Sequence, residues 1–444
     1  MAHDYYSRQL TPSSRSHVEP DTSSLAQSVE SVRSPRGRTA EWLAAIAIAL
    51  PFVERPSTTL AALVALVLSV VAATLISADL GSMSFSPYIP FVVYLWWAAI
   101  SLSWSDQPEA TITNAIVHAT YIVTACCVVA TVPRFADFGR AWRRAGYLYL
   151  SFSTAAALAF PRYGRLIDPP FTGQWRGLAA HKSGFGTFAL LLGLPLLLDA
   201  FGDAEGGHRL LKRLAALGFC GVIVLSGSAT AIVALVSAMV FKVVLYRRPD
   251  RGLRGRGVAY ITIPLAGAAA TLLWPLADDA ATAVGRDPSL TGRTELWSIV
   301  LKQVERRPLQ GFGFHAQWHE PSGVTLRIWN SIHLETPWTP AIAHNSGLEV
   351  LLSLGVVGLA FLLFGYVQTA IRALRFVSLD RTAFAILPLL ALMVLTCYSV
   401  SERGIGQDQG FFFLVLLASA LAVAKNRHRS EPSGVRRPRH TALE

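Results

Sequence analysis

A short stretch that combines cationic and aromatic residues stands just before one of the chain's apolar segments; it reads QWRGLAAHK and covers residues 174–182. The guanidinium of Arg176 is planar, stays charged and offers a fork of donors that matches phosphate oxygens. Lys182 would lie at the edge of a membrane, where a lipid diphosphate places its charge. We therefore interpret Arg176, His181 and Lys182 as an anion-binding cluster with Trp175 beside it. The alternative is an ordinary belt of interfacial aromatic and basic side chains.

A second cationic cluster surrounds the start of a predicted helix. The helix is indicated by apolar residues at helical spacing after Thr291, its predicted N-cap: Leu296, Trp297, Ile299, Val300 and Val304. We expect this amphipathic helix to lie on or near the outer membrane surface. Arg293 falls in its first turn, where free backbone N–H groups and a guanidinium together make a phosphate or oxyanion site; Arg286 is one short loop upstream. Alternatively, Arg293 pairs with Glu295 or Glu349 and only holds the loop.

A third candidate is the sequence AHNS at residues 343–346, which opens another apolar segment. A neutral imidazole at His344 could accept a proton from a sugar hydroxyl near pH 7. Asn345 stands beside it at the predicted helix start. Glu349 follows one turn later, and it either orients His344 or serves as the base itself. An acidic side chain within a membrane is costly to bury, so we expect Glu349 to have a partner.

Other features are weaker. GFGFH at residues 311–315 has the composition of a tight turn, and Glu402 next to Arg403 suggests a self-satisfied ion pair. Trp318, Trp329 and Trp338 could stack on sugar rings or rest at the membrane interface. The chain has no HExxH, P-loop, CxxC or Asp-rich metal motif, so neither a metal nor another cofactor is indicated. The four cysteines all fall inside apolar runs and are interpreted as core residues.

The elements that must position these residues are membrane helices. The chain has 444 residues, of which 52% are hydrophobic and 15% are charged. Its mean hydropathy of +0.42 and its long apolar runs are typical of a membrane protein. We predict an all-α integral membrane protein with about twelve spans: 42–54, 58–77, 87–104, 111–132, 142–160, 183–201, 211–226, 229–246, 258–277, 346–371, 383–400 and 409–425.

Charge distribution predicts the orientation. If the N-terminus is cytoplasmic, the inner segments hold 27 of the 39 Lys and Arg residues, as the positive-inside rule requires. Residues 1–41 then form a polar, disordered cytoplasmic tail, residues 42–277 contain spans one to nine, and residues 278–345 form a large outer loop. Spans ten to twelve occupy 346–425, and 426–444 is a basic cytoplasmic tail. The net charge of +11 thus reflects topology, and nucleic acid is not an expected partner.

Four stretches resemble the O-antigen ligase and Wzy-type polymerase family. They are LWWAAISLSWSDQPEAT at 95–111, WRGLAAHKSGFG at 175–186, TGRTELW at 291–297 with PLQGFGF after it, and AHNSGLEVLLSLGVVGL at 343–359. Their order and spacing match across roughly residues 45–425. The histidine–lysine pair in the second stretch is most similar to the exopolysaccharide-polymerising, succinoglycan-type branch.

The resemblance implies a GT-C-like membrane glycosyltransferase at the periplasmic face of the bacterial inner membrane. Its donor would be a glycan on undecaprenyl diphosphate, and its acceptor another glycan or a glycolipid. The family's diphosphate-binding arginines correspond to Arg176 and to Arg293 or Arg286, and its loop-exit histidine corresponds to His344. Chain-length or export proteins are candidate partners.

These residue types suggest a metal-independent, inverting transfer. Guanidinium groups would stabilise the leaving diphosphate, and His344 or Glu349 would deprotonate the acceptor. Within this interpretation we favour a polymerase over a ligase that transfers the glycan to lipid A-core. A transporter of lipid-linked sugars or a non-catalytic scaffold of an export complex are the other readings, but a transporter should carry charges in several spans and show repeated halves.

Overall fold

The computed structural model describes residues 34–430 except 79, 81–83, 133, 170, 202–208, 248–258, 260–265, 267–290, 319–322, 333–339, 380–382 and 407. In this described part, the regular elements are all helices. They are α1 (Pro35–Ala49), α2 (Thr58–Leu75), α3 (Ile89–Ile100), α4 (Pro108–Thr131), α5 (Phe135–Ala159), α6 (Pro161–Gly164), α7 (Lys182–Phe201), α8 (Arg209–Leu225), α9 (Ala229–Arg247), α10 (Thr291–Val304), α11 (Gly323–Ser331), α12 (Ser346–Leu379), α13 (Leu387–Ser401) and α14 (Asp408–Ser430).

These helices coincide with eleven of the predicted spans, whereas the span predicted at 258–277 lies outside the described residues apart from Ala259 and Ala266. Within the described ranges, five helical segments are long and apolar enough to cross a membrane: Thr58–Leu75, Pro108–Thr131, Lys182–Ala200, Ser346–Ser378 and Phe384–Ser401. Shorter apolar helices cover Ile89–Trp104, Ala229–Val244 and Gln409–Ala424. The protein is thus an all-helical multi-pass membrane protein, and the count of twelve crossings stays a prediction.

The first helix begins at Pro35, earlier than the predicted end of the tail at residue 41. Ser34 caps it by accepting a hydrogen bond from the backbone N–H of Gly37 at 3.0 Å, and Pro35 suits the first helical position. Glu41 is then buried in an ion pair with Arg140, which explains why a segment of polar composition is ordered. Residues 1–33 and 431–444 lie outside the described residues.

Three helices form the centre of the bundle. The apolar side chains of α7, α13 and α14 are buried almost all round, with Phe411 to Leu417 completely inaccessible. Helix α7 packs against α5, α8, α9 and α13, and α14 packs against α4 and α12. The surrounding helices α2 and α8 keep exposed apolar faces, including Val67 and Leu217. Such faces suit contact with lipid tails, which solvate apolar side chains as well as a protein core does.

Helix α12 is broken at Gly355, whose backbone has φ 67° and ψ −167°. The break frees carbonyl and N–H groups that would otherwise bond within the helix, and a membrane offers no water for them. The segment 308–313 satisfies these groups: Phe312 N donates to Leu352 O at 2.9 Å, Gly313 N donates to Ser353 O at 2.9 Å, and Val356 N donates to Pro308 O at 2.8 Å.

The same insertion explains two of the glycines. A Cβ on Gly355 would lie 2.3 Å from the backbone of Leu309, and one on Gly311 would lie 2.4 Å from the backbone of Ser353. Both residues also have positive φ values that disfavour L side chains. The stretch predicted as a tight turn is therefore a plug that fixes the first half of α12 to the outer loop.

The amphipathic helix predicted after Thr291 exists as α10, but its apolar face is covered by protein. Its side chains join a separate small core made by α11, the plug segment and α12: Leu296, Ile299, Val300, Val304, Phe312, Val324, Ile328, Ala343 and Leu352. Residues distant in sequence therefore cover this face, and the expected position of the helix on or near the outer membrane surface stays a prediction. The consequence is a rigid support beneath the residues that precede α12.

Candidate active site

Five segments meet on one side of the bundle. They are the loop 174–182, the turn 226–230 between α8 and α9, the start of α10, residues 343–346, and residues 401–406 after α13. Hydrogen bonds tie them together: Lys182 Nζ donates to Gly227 O at 3.4 Å, and the hydroxyls of Thr230 and Ser401 lie 2.8 Å apart. Each of these segments adjoins the end of a helix, and all of these helix ends lie at the same end of the bundle.

His344 and Glu402 form the centre of this region. The Nδ1 of His344 lies 3.1 Å from Oε2 of Glu402, and Glu402 is buried while His344 stays partly exposed. On the other side of this carboxylate, Arg293 Nη2 lies 3.8 Å from Oε1, and its Nη1 donates to the carbonyl of Ser401 at 3.2 Å. One carboxylate therefore links the predicted base to the predicted anion-binding arginine.

This geometry assigns the tautomer of the histidine. A carboxylate can only accept hydrogen bonds, so His344 carries its proton on Nδ1 and its lone pair on Nε2. Burial alone would raise the pKa of Glu402, but His344 and Arg293 outweigh it and hold that pKa below its ordinary value. Glu402 is therefore a carboxylate at neutral pH, and it can stabilise an imidazolium when Nε2 takes up a proton.

The backbone holds His344 in an uncommon conformation. Its φ is 51°, in the left-handed region that a residue other than glycine adopts at a cost of roughly 1–2 kcal/mol. On its C-terminal side, Asn345 caps α12 by accepting from Leu348 N at 3.1 Å and donating through Nδ2 to Val400 O at 3.2 Å. On its N-terminal side, Trp297 donates through Nε1 to Ala343 O at 2.8 Å.

Glu349 takes a different place from the one predicted. It is completely buried, and its carboxylate accepts hydrogen bonds from Ala343 N, from Trp318 Nε1 at 2.8 Å and from Gln317 Nε2 at 3.3 Å. The carboxylate that orients the His344 imidazole is Glu402, so that role was wrongly predicted for Glu349. Three donors also surround the Glu349 oxygens, which leaves this group poorly placed to act as a base.

The cationic loop before α7 lines the same region. Arg176 is anchored through Nε to Tyr163 O at 2.9 Å and through Nη2 to Arg162 O at 3.3 Å. Lys182 Nζ lies 3.9 Å from the centre of the Phe171 ring. Burial lowers the pKa of Arg176, and the positive charge of Arg55 lowers that pKa further. An anion bound nearby would stabilise the charged guanidinium and oppose both effects.

His181 connects the two halves of the site. Burial lowers its pKa, the charges of Lys182 and His344 lower it further, and the negative charge of Glu402 opposes these effects. His181 is therefore neutral at pH 7. The charges of Glu402 and His344 both act on His181, so the loop before α7 approaches the residues before α12. We call Arg176, His181, Lys182, Arg293 and His344, together with Glu402, the cationic site.

The structure thus brings together most of the residues singled out from the sequence. Trp175 is buried, stacks near Arg165 and shapes the loop rather than facing the cationic site. Arg286 lies outside the described residues, so its role stays a prediction. The sequence suggested Glu402 as a partner of Arg403. In the structure Glu402 contacts His344 and Arg293, and Arg403 donates to Ala341 O at 3.1 Å. An acidic residue directly after an apolar span was the signal for a partner.

An apolar groove of about 260 Å³ lies between α12 and α13, and Asn345, the neighbour of His344 in the sequence, is among the residues that line it. Asn345 and Ser346 line its polar end, whereas Leu359, Leu363 and Val400 line its length. Among the described residues, no group of three or more His, Cys, Asp or Glu side chains lies close enough to hold a metal ion.

Two comparisons with known proteins agree. Residues 214–363 match the family described as O-antigen ligase. The chain is also 24% identical over 361 residues to the exopolysaccharide production protein ExoQ of Rhizobium meliloti (strain 1021), an alignment that covers 76% of this chain and 79% of that protein. Both findings support the predicted resemblance to the O-antigen ligase and Wzy-type family of membrane proteins.

Proposed function

We propose that this protein is a membrane glycosyltransferase that polymerises polysaccharide repeat units carried on a lipid diphosphate. The observation that carries the proposal is the His344–Glu402 pair beside Arg293, since a base with its orienting carboxylate stands next to an anion-binding guanidinium. The name of the relative, an exopolysaccharide production protein, favours a polymerase. The family described as O-antigen ligase favours transfer to a lipid A-core acceptor as the second candidate.

The reaction uses four residues of the cationic site. His344 Nε2 takes the proton of an acceptor hydroxyl, whose oxygen forms a bond to the anomeric carbon of the donor sugar. The bond from that carbon to the diphosphate oxygen breaks, and the electron pair leaves with the lipid diphosphate. Arg176, Lys182 and Arg293 stabilise the developing negative charge. Attack from the face opposite the leaving group inverts the anomeric centre.

The apolar groove supports a lipid-linked donor. It begins beside Asn345 and continues between α12 and α13, so an anionic headgroup at the cationic site would have room for the first isoprenoid units in an apolar slot. Undecaprenyl diphosphate is the carrier that fits a bacterial inner membrane. This location requires both termini in the cytoplasm and residues 278–345 outside, as the distribution of Lys and Arg indicates.

The test is the lipid-linked glycan profile of a deletion strain that carries either the wild-type protein or His344→Ala. A polymerase predicts that single repeat units accumulate and long chains vanish in the His344→Ala strain. Long lipid-linked chains that stay unattached would instead identify a ligase. A profile equal to that of the wild type would reject the glycosyltransferase and leave a transporter or a scaffold.

A further inference from the structure

The residue before His344 is held on both sides by side chains that the reaction itself does not use. Ala343 is completely buried; its N–H donates to Glu349 Oε1, and its carbonyl accepts from Trp297 Nε1 at 2.8 Å. The two peptide groups that flank Ala343 are therefore fixed by one carboxylate and one indole. Side chains thus hold the peptide groups on both sides of Ala343, and the residue that follows it is the predicted base.

This fixation matters because His344 has a left-handed backbone. Its φ of 51° is a strained state that persists only where the surroundings define it, and such strain clusters at functional sites. If the peptide groups around Ala343 turned freely, His344 would relax toward an ordinary conformation. Its imidazole would then lose the hydrogen bond to Glu402 and its alignment with the acceptor hydroxyl.

We propose that Glu349 and Trp297 are positioning residues that act through the backbone of Ala343 to aim His344. This inference rests on the proposed function, in which His344 is the base. It differs from direct orientation of the imidazole, which Glu402 performs. It also explains a buried acidic residue near the membrane: both oxygens of Glu349 act as acceptors, one for Ala343 and the other for Trp318 and Gln317.

The two supports come from separate helices. Trp297 belongs to α10, whose apolar face is buried in the small core against α12, so its indole has a rigid base. Glu349 lies in the first turn of α12, whose first half ends at Gly355, where the plug holds it. Side chains from two rigid helices therefore hold the backbone of Ala343, and the packing of these helices fixes the position of His344.

The decisive variant is Trp297→Phe, which keeps an aromatic ring and removes only the N–H. Trp329→Phe is its matched control, because Trp329 Nε1 donates in the same way to the carbonyl of Pro340 at 3.0 Å, away from Ala343. We expect Trp297→Phe to lower kcat by about tenfold or more, as small misplacements of a reacting group do. KM for the lipid-linked donor should be unchanged, because Arg176 and Lys182 bind it. Trp329→Phe should change neither.

The donor in this assay is a synthetic prenyl-diphosphate-linked repeat unit, and the enzyme is the full chain in nanodiscs. A thermal melt of each variant accompanies the kinetics. Equal losses of kcat in Trp297→Phe and Trp329→Phe, or a rise in KM of the same size as the fall in kcat, would overturn the proposal, because either result indicates general loosening of the loop. Glu349→Gln provides a second variant, because it replaces one of the two oxygens that accept from Ala343, Trp318 and Gln317 with an NH₂ group, which cannot accept.

A double variant separates this inference from the proposed function. Residues that act as one unit show strongly non-additive losses, so Trp297→Phe should have no further effect once His344 is Ala. A tenfold loss in both backgrounds would contradict positioning through His344. Full activity of His344→Ala alone would reject the proposed function itself, whereas an inactive His344→Ala with a fully active Trp297→Phe would reject only the positioning role.

Discussion

Arginines and carboxylates gather at both ends of the helix bundle, and the two gatherings differ in how charges are matched. At the end opposite the cationic site, Arg140 contacts Glu41 at 3.1 Å and Asp137 at 2.7 Å, while Arg143 contacts Asp199 at 2.6 Å. We call these five residues the matched cluster. Each of its arginines has a carboxylate at hydrogen-bonding distance, and these pairs join α1, α5 and α7.

The cationic site is built differently. Arg293 and His344 share Glu402, and the Arg293 contact is the longer one at 3.8 Å. Arg176 and Lys182 donate to backbone carbonyls, which hold the side chains in place without neutralising them. Helices α5 and α7 run from one cluster to the other, so one scaffold carries both. Charges matched by carboxylates hold helices together, whereas charges held by carbonyls stay available to an anion.

The largest effect should come from removing an arginine of the cationic site. Arg293→Ala removes a charge that faces the leaving diphosphate and also loosens Glu402, so transfer should fall by about a thousandfold, the upper range for a lost oxyanion donor. Arg176→Ala should lower transfer by about a hundredfold or more. The measurement is repeat-unit transfer per inserted molecule. Activity of Arg293→Ala near that of the wild type would remove the functional contrast between the clusters.

A smaller loss is expected for Glu402→Gln, which keeps the shape and removes the charge behind His344. Transfer should fall by about a hundredfold, because the imidazolium that forms loses its counter-charge and its fixed tautomer. The control is Asp199→Asn in the matched cluster, which removes a carboxylate of an arginine pair without lowering transfer per folded molecule. Loss of transfer in both variants would mean that the carboxylate near His344 has no special role.

Glu402 also gives a pH dependence with a defined sign. Its pKa is lowered on folding, against the effect of burial, by His344 and Arg293. The carboxylate therefore stabilises the fold above its ordinary pKa, and this stabilisation is lost as the pH falls through the lowered value. Wild type should melt higher than Glu402→Gln at neutral pH, and the difference should shrink in acid below the ordinary range of a glutamate. A difference that grows in acid would contradict this assignment.

The matched cluster should respond in stability rather than in activity. Glu41→Gln removes the buried carboxylate that Arg140 and Arg144 share. It should destabilise the bundle by about 1 kcal/mol, because both guanidinium groups are partly exposed and Arg140 keeps its contact with Asp137. Transfer per folded molecule should equal that of the wild type. Thermal melts and kinetics of the same nanodisc preparation give both numbers, and a reduced kcat in the folded fraction would show that this end also serves the reaction.

Much of the fold could be predicted from apolar runs, because a segment that must satisfy its backbone in lipid has little choice but a helix. The cationic site was found in outline for a related reason: charged residues are rare in this chain, so Arg176, Lys182, Arg293 and His344 stand out at the ends of spans. What could not be predicted was pairing across the sequence. Glu402 is 58 residues from His344, and Arg403 offered a nearer partner.

The break at Gly355 was also hidden. The run VLLSLGVVGL from residue 350 is apolar apart from Ser353, and a glycine in such a run is tolerated in a helix. Only the structure shows that backbone groups of α12 near Gly355 form hydrogen bonds with the plug 308–313 instead of within the helix. The residues that cover the apolar face of α10 were hidden in the same way, because they come from distant parts of the sequence. Periodicity shows that a face is buried, but it does not show what covers it.

The smallest effect we predict concerns Asn345, which stands between the two kinds of role. Its Oδ1 caps α12 and its Nδ2 bonds to Val400 O, so Asn345→Ala should cost about 1 kcal/mol of stability as a lost N-cap and lower transfer only a few-fold. Asn345→Ser restores the cap but not the bond to Val400. If Ser recovers the melting temperature and leaves kcat low, the link to α13 serves His344, the neighbour of Asn345. If Ser recovers both, Asn345 only supports the helices, as the residues of the matched cluster do.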